Sequence, residues 1–170
     1  MLVETYQHKI YNTAYNLVYD TGIAEDITQE VFVSIYKSIL TFNEKSSIDT
    51  WIYRITINKC YDCLRAKERR KKTGFISTFF LSNEDSIQVS KNHNPETQLV
   101  HKENASYLIT AVNCLPLNQK TVFILAHIEE LPQKEIAEIM SLSLKAIESL
   151  LQRAKLNLRK KLSTIYDRRN

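Results

Sequence analysis

Glycine is nearly missing from this chain, with two in 170 residues, Gly22 and Gly74. A loop that cradles phosphate needs several glycines close together so that the backbone can approach the anion, and none is present, which argues against nucleotide hydrolysis. Three prolines add few further turn signals, so long helices are expected. The three cysteines, Cys60, Cys63 and Cys114, are odd in number and fit no closed disulfide framework. No apolar run approaches the ~20 residues of a membrane span. The opening residues MLVETYQHKI carry charged and polar side chains unlike a signal peptide, so a cytoplasmic location is expected.

Present instead are 25% charged and 44% hydrophobic residues, the balance of a folded, soluble chain, with a formal net charge of +4. The length suits one ordinary domain or two small helical ones. Cys60-Tyr61-Asp62-Cys63 is a CxxC. A zinc site needs about four ligands, and no second CxxC or close HxxxH follows. A thioredoxin-type motif needs a preceding strand and turn. A metal or redox role therefore stands beside the plainer reading of two semi-buried thiols one helical turn apart.

Apolar periodicity divides the chain. Ile10, Ala14, Leu17 and Val18 mark a first helix that Asp20-Thr21-Gly22 ends. Ile27, Val31, Ile35 and Ile39, with Phe32 beside them, predict a second helix with one buried stripe and carboxylates on another face. Residues 50–72 begin with β-branched residues, and 52–57 alone could be a strand. The later Ala, Glu and Arg residues, and the lack of a partner strand, favour one long helix. From Thr73 to Pro95, TGFISTFFLSNEDSIQVSKNHNP loses periodicity apart from the island Phe75 to Leu81, and reads as a linker between domains. Asn94-Pro95, Pro116 and Pro132 each precede a helix, giving four helices at about 96–113, 116–127, 132–140 and 144–162. The expected fold is all-α: two small helical domains, 1–72 and 96–170, on a flexible linker, 73–95.

Within the second domain, a short helix, a turn at Ser141-Leu142-Ser143 and a longer helix have the pattern of a helix-turn-helix, with Ile136, Ala137, Met140, Leu142, Ile147 and Leu151 as its shared core. A plain helical hairpin would share that core. Charge favours the DNA-binding form, because from Arg153 to Arg169 there are seven basic residues against Asp167 alone. The first domain has its own basic cluster: Ile52 to Lys72 holds eight Lys or Arg against Asp62 and Glu68, interleaved with Tyr53 and Tyr61 and preceded by Trp51. Aromatic faces stack unpaired bases and cations follow the backbone, which suits opened or single-stranded nucleic acid. A core Trp51 and a solvated KERRKK helix end are the alternative.

In order and spacing, AEDITQEVF, FNEKSSIDTWIYRITINKCYDCLR, LPLNQKTVFIL and EIAEIMSLSLKAIESLLQRA resemble the extracytoplasmic-function (ECF) sigma factors of bacterial RNA polymerase. The resemblance covers nearly the whole chain. It implies a first domain that binds core polymerase and melts the promoter -10 element, and a second that reads the -35 element as duplex. By that resemblance Asp26, Gln29 and Glu30 dock on the coiled-coil helices of the β′ clamp. The loop Asn43 to Asp49 captures a flipped base through Ser46 and Ser47. Trp51, Arg54, Asn58, Lys59 and Arg65 follow the opened strand, and Lys145, Glu148, Ser149, Gln152, Arg153 and Lys155 face the -35 element. The implied partners are core polymerase, including the β flap, promoter DNA, and an anti-sigma factor that can be membrane-anchored. No catalytic residue, metal, cofactor or small-molecule substrate is implied. Ser141 stands where the family commonly has Gly, and Glu148 and Leu150 where it commonly has basic residues. A helix-turn-helix regulator acting without polymerase is the rival reading; it would need neither the acidic helix nor the serine loop.

Overall fold

The computed structural model describes residues 2–42, 46–72 and 106–167, and every regular element among them is helical. Three helices build the first lobe: α1 (Leu2–Val18), α2 (Thr21–Ser38), which runs on into a 3-10 turn at Ile39–Thr41, and α3 (Ile48–Lys72). The second lobe has α4, described over 106–113, then α5 (Leu117–His127), α6 (Gln133–Met140) and α7 (Leu144–Asp167). Residues 50–72 are therefore one helix rather than a strand. The proposed linker 73–95, the Asn94-Pro95 cap and the start of the helix expected from 96 lie outside the described residues.

Helical spacing puts Tyr6, Ile10, Ala14 and Leu17 of α1, Ala24, Ile27, Val31 and Ile35 of α2, and Ile52, Ile57 and Cys60 of α3 into one buried bundle. Asp20 starts α2 by accepting a hydrogen bond from the Ile23 N–H at 3.0 Å, an N-cap that satisfies one orphan donor. Buried threonines bring no unmet polar cost, because Thr28, Thr56 and Thr121 each donate to the carbonyl four residues back. In the second lobe Val122, Ile124 and Leu125 of α5, Ile136 and Ile139 of α6, and Ile147 and Leu151 of α7 are buried. Ala111, Val112 and Leu115 pack with Ala154 and Leu158 in a smaller cluster where α4 meets α7.

The two lobes also pack on each other, α1 against α5 and α3 against α6, so that the bundle of the first lobe and the core of α5, α6 and α7 form one continuous apolar cluster. A tether between two domains does not announce such a seam.

The helix-turn-helix forms at the expected turn, with one correction to its core. Leu142 is exposed at 39%, and Ile139, at 3%, takes the buried place. The turn explains the exchange. Ser141 adopts the left-handed conformation, φ 54°, its N–H donates to Glu138 O at 3.2 Å, and the Leu142 N–H donates to Ala137 O at 3.0 Å. This six-to-one closure swings the chain outward at Leu142. A Cβ at positive φ is sterically costly, so Ser141→Gly should raise stability by about 0.5–1 kcal/mol, read as a shift of the chemical-denaturation midpoint with unchanged slope.

Candidate nucleic-acid and partner interfaces

On α2 the buried stripe leaves the opposite face open. Asp26, Gln29 and Glu30 are all exposed, as expected. At 100° per residue, Val33, Tyr36 and Lys37 fall within the same arc of about 120°. Val33 is 52% and Tyr36 84% exposed, so carboxylates at one end of the face give way to uncovered apolar surface at the other. Sequence reading missed Val33 and Tyr36, although projecting the helix beyond Glu30 would have found them. Glu30 accepts from Lys59 Nζ at 3.1 Å, which links α2 to the basic helix α3. That pair is too exposed to hold the fold by itself.

At the start of α3 the two serines part ways. Ser47 is the N-cap: its hydroxyl accepts from the Thr50 N–H at 3.1 Å and donates to Thr50 Oγ1 at 2.9 Å. Ser46 sits half-buried before it, and Asn43 to Lys45 lie outside the described residues. Asp49 is committed to the fold. Lys9 donates to it at 2.6 Å and Tyr6 at 3.2 Å, and the hydrogen bond from Lys9 in particular holds its carboxyl below the usual range. Trp51 is half-buried, its ring 5.1 Å from that of Phe42. Along α3, Asn58 and Arg65 are exposed, and Arg65 lies over the Tyr61 ring at 5.8 Å. Lys59 is half-buried, and Arg54 turns toward the second lobe, where Nη2 donates to Glu138 O at 2.6 Å. Trp51, Asn58, Lys59 and Arg65 thus remain on the first lobe, while Arg54 joins the seam.

On α7, Lys145, Glu148, Gln152, Arg153 and Lys155 are exposed and Ser149 is half-buried. Lys145, Glu148, Ser149, Gln152 and Lys155 share one arc of about 120°, with Arg159 continuing it and Arg153 at its flank. Ser143 caps the helix by accepting from the Ala146 N–H at 3.2 Å. Leu150 packs against the core, so the departure at that position faces inward rather than toward a ligand.

Cys60 is buried and Cys63 half-buried on the same unbroken helix, while Cys114 is exposed. Burial, and then the neighbouring Cys63, push the Cys60 thiol up to about 12, and burial also raises Cys63. Among the described residues no three His, Cys, Asp or Glu gather as a metal-binding group. The thiolate is the reactive form. A disulfide-exchange reagent at pH 8 should therefore label Cys114 first and Cys63 more slowly, and reach Cys60 only after denaturant is added. Rapid labelling of all three thiols in the folded chain would contradict this burial.

Comparison with known families matches residues 2–70 to sigma-70 region 2 and residues 105–158 to sigma-70 region 4. The ECF RNA polymerase sigma-E factor of Haemophilus influenzae is 30% identical over 156 residues, 91% of this chain and 82% of the relative. The ECF RNA polymerase sigma factor SigW of Bacillus subtilis is 29% identical over 166 residues, 95% of this chain and 87% of the relative. Among solved structures, the sigma factor RpoE of Bartonella quintana, in complex with the anti-sigma factor NepR, superposes with a TM-score of 0.72 at 18% identity, covering 95% of this chain and 94% of the other. CnrH, in complex with the cytosolic domain of CnrY, gives 0.68 at 20% identity, covering 96% and 86%. Both share the fold. No helix among the described residues is long and apolar enough to cross a membrane.

Proposed function

The chain belongs to the extracytoplasmic-function group of RNA polymerase sigma factors and is an alternative sigma factor, and from that premise we propose how its surfaces divide the work. The observation that carries the proposal is a pair of exposed helix faces of opposite chemistry, acidic and apolar on α2, basic on α7. An acidic face is repelled by DNA and serves protein docking; a basic face is drawn to phosphate. Residues 1–72 act as region 2, 96–170 as region 4, and 73–95 as the link between them.

Asp26, Gln29 and Glu30 dock on the β′ clamp helices of core polymerase, with Val33 and Tyr36 supplying apolar contact area beside them, and region 4 reaches the β flap. Ser46, Ser47, Trp51, Arg54, Asn58, Lys59 and Arg65 engage the -10 element. Ser47 holds the α3 terminus in place through its cap, so Ser46 is the freer hydroxyl for a base edge. Lys145, Glu148, Ser149, Gln152, Arg153 and Lys155 face the -35 major groove, where a helix-turn-helix inserts its second helix. The chain supplies promoter choice and no catalytic group, and it works in the cytoplasm beside its polymerase. An anti-sigma factor is its regulatory partner, by analogy with the two complexes that share its fold. A helix-turn-helix regulator acting without polymerase would leave the α2 face without a use.

Run-off transcription with purified core polymerase on a promoter library tests this reading directly. Asp26→Lys with Glu30→Lys should abolish co-purification with core at unchanged helical content, because both side chains lie off the buried stripe. Undiminished co-purification would remove α2 as the docking face.

Base readout at the -35 element separates two kinds of contact. Glu148 is a carboxylate facing phosphates, and its useful role there is to accept from a cytosine amine, an interaction worth about 1–3 kcal/mol of discrimination. Glu148→Ala should relax preference at one base pair with little change in salt dependence. Lys155→Ala should weaken all promoters alike and flatten the salt slope by about 0.9 for each phosphate that is no longer neutralised. Uniformly stronger binding by Glu148→Ala across the library would mark the carboxylate as a mere repulsive charge.

A further inference from the structure

The first turn of α3 carries Asp49, two residues after the Ser47 cap and two before Trp51. Tyr6 and Lys9 stand one helical turn apart on α1, so one face of that helix presents both. Lys9 Nζ donates to Asp49 Oδ1 at 2.6 Å, and the Tyr6 hydroxyl donates to Asp49 Oδ2 at 3.2 Å. Each carboxylate oxygen therefore has its own donor on α1.

The ammonium is itself held. It lies 5.5 Å from the Tyr6 ring centroid and 5.4 Å from that of Tyr53, and both rings are buried. A cation over two aromatic faces is attracted by both ring quadrupoles, which narrows the positions it can take. An isolated ion pair with side chains 39% and 41% exposed contributes little to stability. What this one supplies is direction: two donors and two rings fix where Asp49 sits, and Asp49 belongs to the end of a rigid helix.

Further contacts carry that placement to the residues ahead of the helix. The Ser47 hydroxyl is held by both the N–H and the hydroxyl of Thr50, at 3.1 and 2.9 Å, and Thr50 is buried. The Trp51 ring lies 5.1 Å from that of Phe42, which ties the end of the 3-10 turn to the same first turn of α3.

We propose that Tyr6 and Lys9 are positioning residues for strand opening: by gripping Asp49 they set the place and angle at which α3 offers Ser46 and Trp51 to a base leaving the promoter duplex. The proposal rests on the sigma-factor reading of Ser46 and Trp51. Neither Tyr6 nor Lys9 has to touch DNA. Unstacking a base costs free energy that capture returns only when the receiving groups are already in place, because a hydrogen bond to a base edge weakens steeply as its angle closes.

Open-complex formation by the holoenzyme tests this with Lys9→Met, which keeps the length of the side chain and drops the donor. The templates are a duplex promoter and copies with one abasic site at each position of the -10 element. Lys9→Met should slow opening about three- to tenfold on the intact promoter, the scale of one hydrogen bond. It should add no further loss on the template that lacks the captured base. Lys9→Arg, which keeps a cation and a donor, should restore most of the rate, and Lys9→Met with Asp49→Asn should not. Binding to core should stay near wild type, while acrylamide quenching of Trp51, the only tryptophan, should rise in the free chain. Wild-type opening by Lys9→Met, unchanged quenching, lost core binding or an equal loss on every abasic template overturns the proposal. Restoration by Asp49→Asn also overturns it, since Lys9 would then only screen a charge. Should Lys9→Met fail to fold, Tyr6→Phe, which removes the other donor and keeps the ring, is held to the same pattern across the templates. A wild type indifferent to every abasic site would instead strike the base-capture reading, while Trp51 quenching would still report whether the grip holds.

Discussion

An α-helix ends with carbonyls that no intrahelical N–H can reach, and in this molecule the ends of α1 and α6 lie where the two lobes meet. Much of the remaining arrangement depends on how those ends are met. Lys120 is drawn into a nearly dry site because Leu17 O needs a donor there, and Arg54 is drawn away from the exposed face of α3 by Glu138 O. Once the lobes are brought together, apolar residues of α1 and α5, and of α3 and α6, complete one cluster that neither lobe closes alone. Burial of apolar area favours the closed packing, while the desolvation of Lys120 and of Arg54 Nε opposes it.

Charge is distributed unevenly over the exposed helix faces. The exposed carboxylates of α2 make its open face repulsive to a polyanion, and the uncovered Val33 and Tyr36 add apolar surface beside them. The long α7 carries cations on its exposed face. α3 lies between these extremes: it pairs Lys59 with Glu30 on one side, presents Asn58 and Arg65 to solvent, and gives Arg54 to the seam. One helix thus touches the acidic face of α2, shows polar and basic side chains to solvent and reaches the second lobe, so a change in any of these contacts is felt along a single rigid element.

Much of the helical architecture was legible from periodicity. The Ile27, Val31, Ile35 stripe is buried as the four-residue spacing demands, and the run from 50 to 72 is a helix because its later residues outweigh a few β-branched ones. Exposure of Asp26, Gln29 and Glu30 followed from the same spacing. The exchange of Leu142 for Ile139 was not legible, since it depends on a left-handed Ser141 that reverses the chain just before Leu142. The role of Ser47 was half legible: a serine before a helix is a cap signal, and its hydroxyl is engaged by Thr50.

By itself, the sequence determined the helices, the two chemically opposed faces and membership of a family, because each rests on neighbours within a few positions of one another or on motifs read in order. Only the tertiary structure decided that Lys120 caps α1, that Arg54 caps α6 and that Glu129 bridges Thr13 to Tyr53. These contacts join residues 103, 84, 116 and 76 positions apart. Hydrophobic period and local propensity carry no information over such separations, and a lysine in an amphipathic helix looks the same in sequence whether it meets water or the end of another helix.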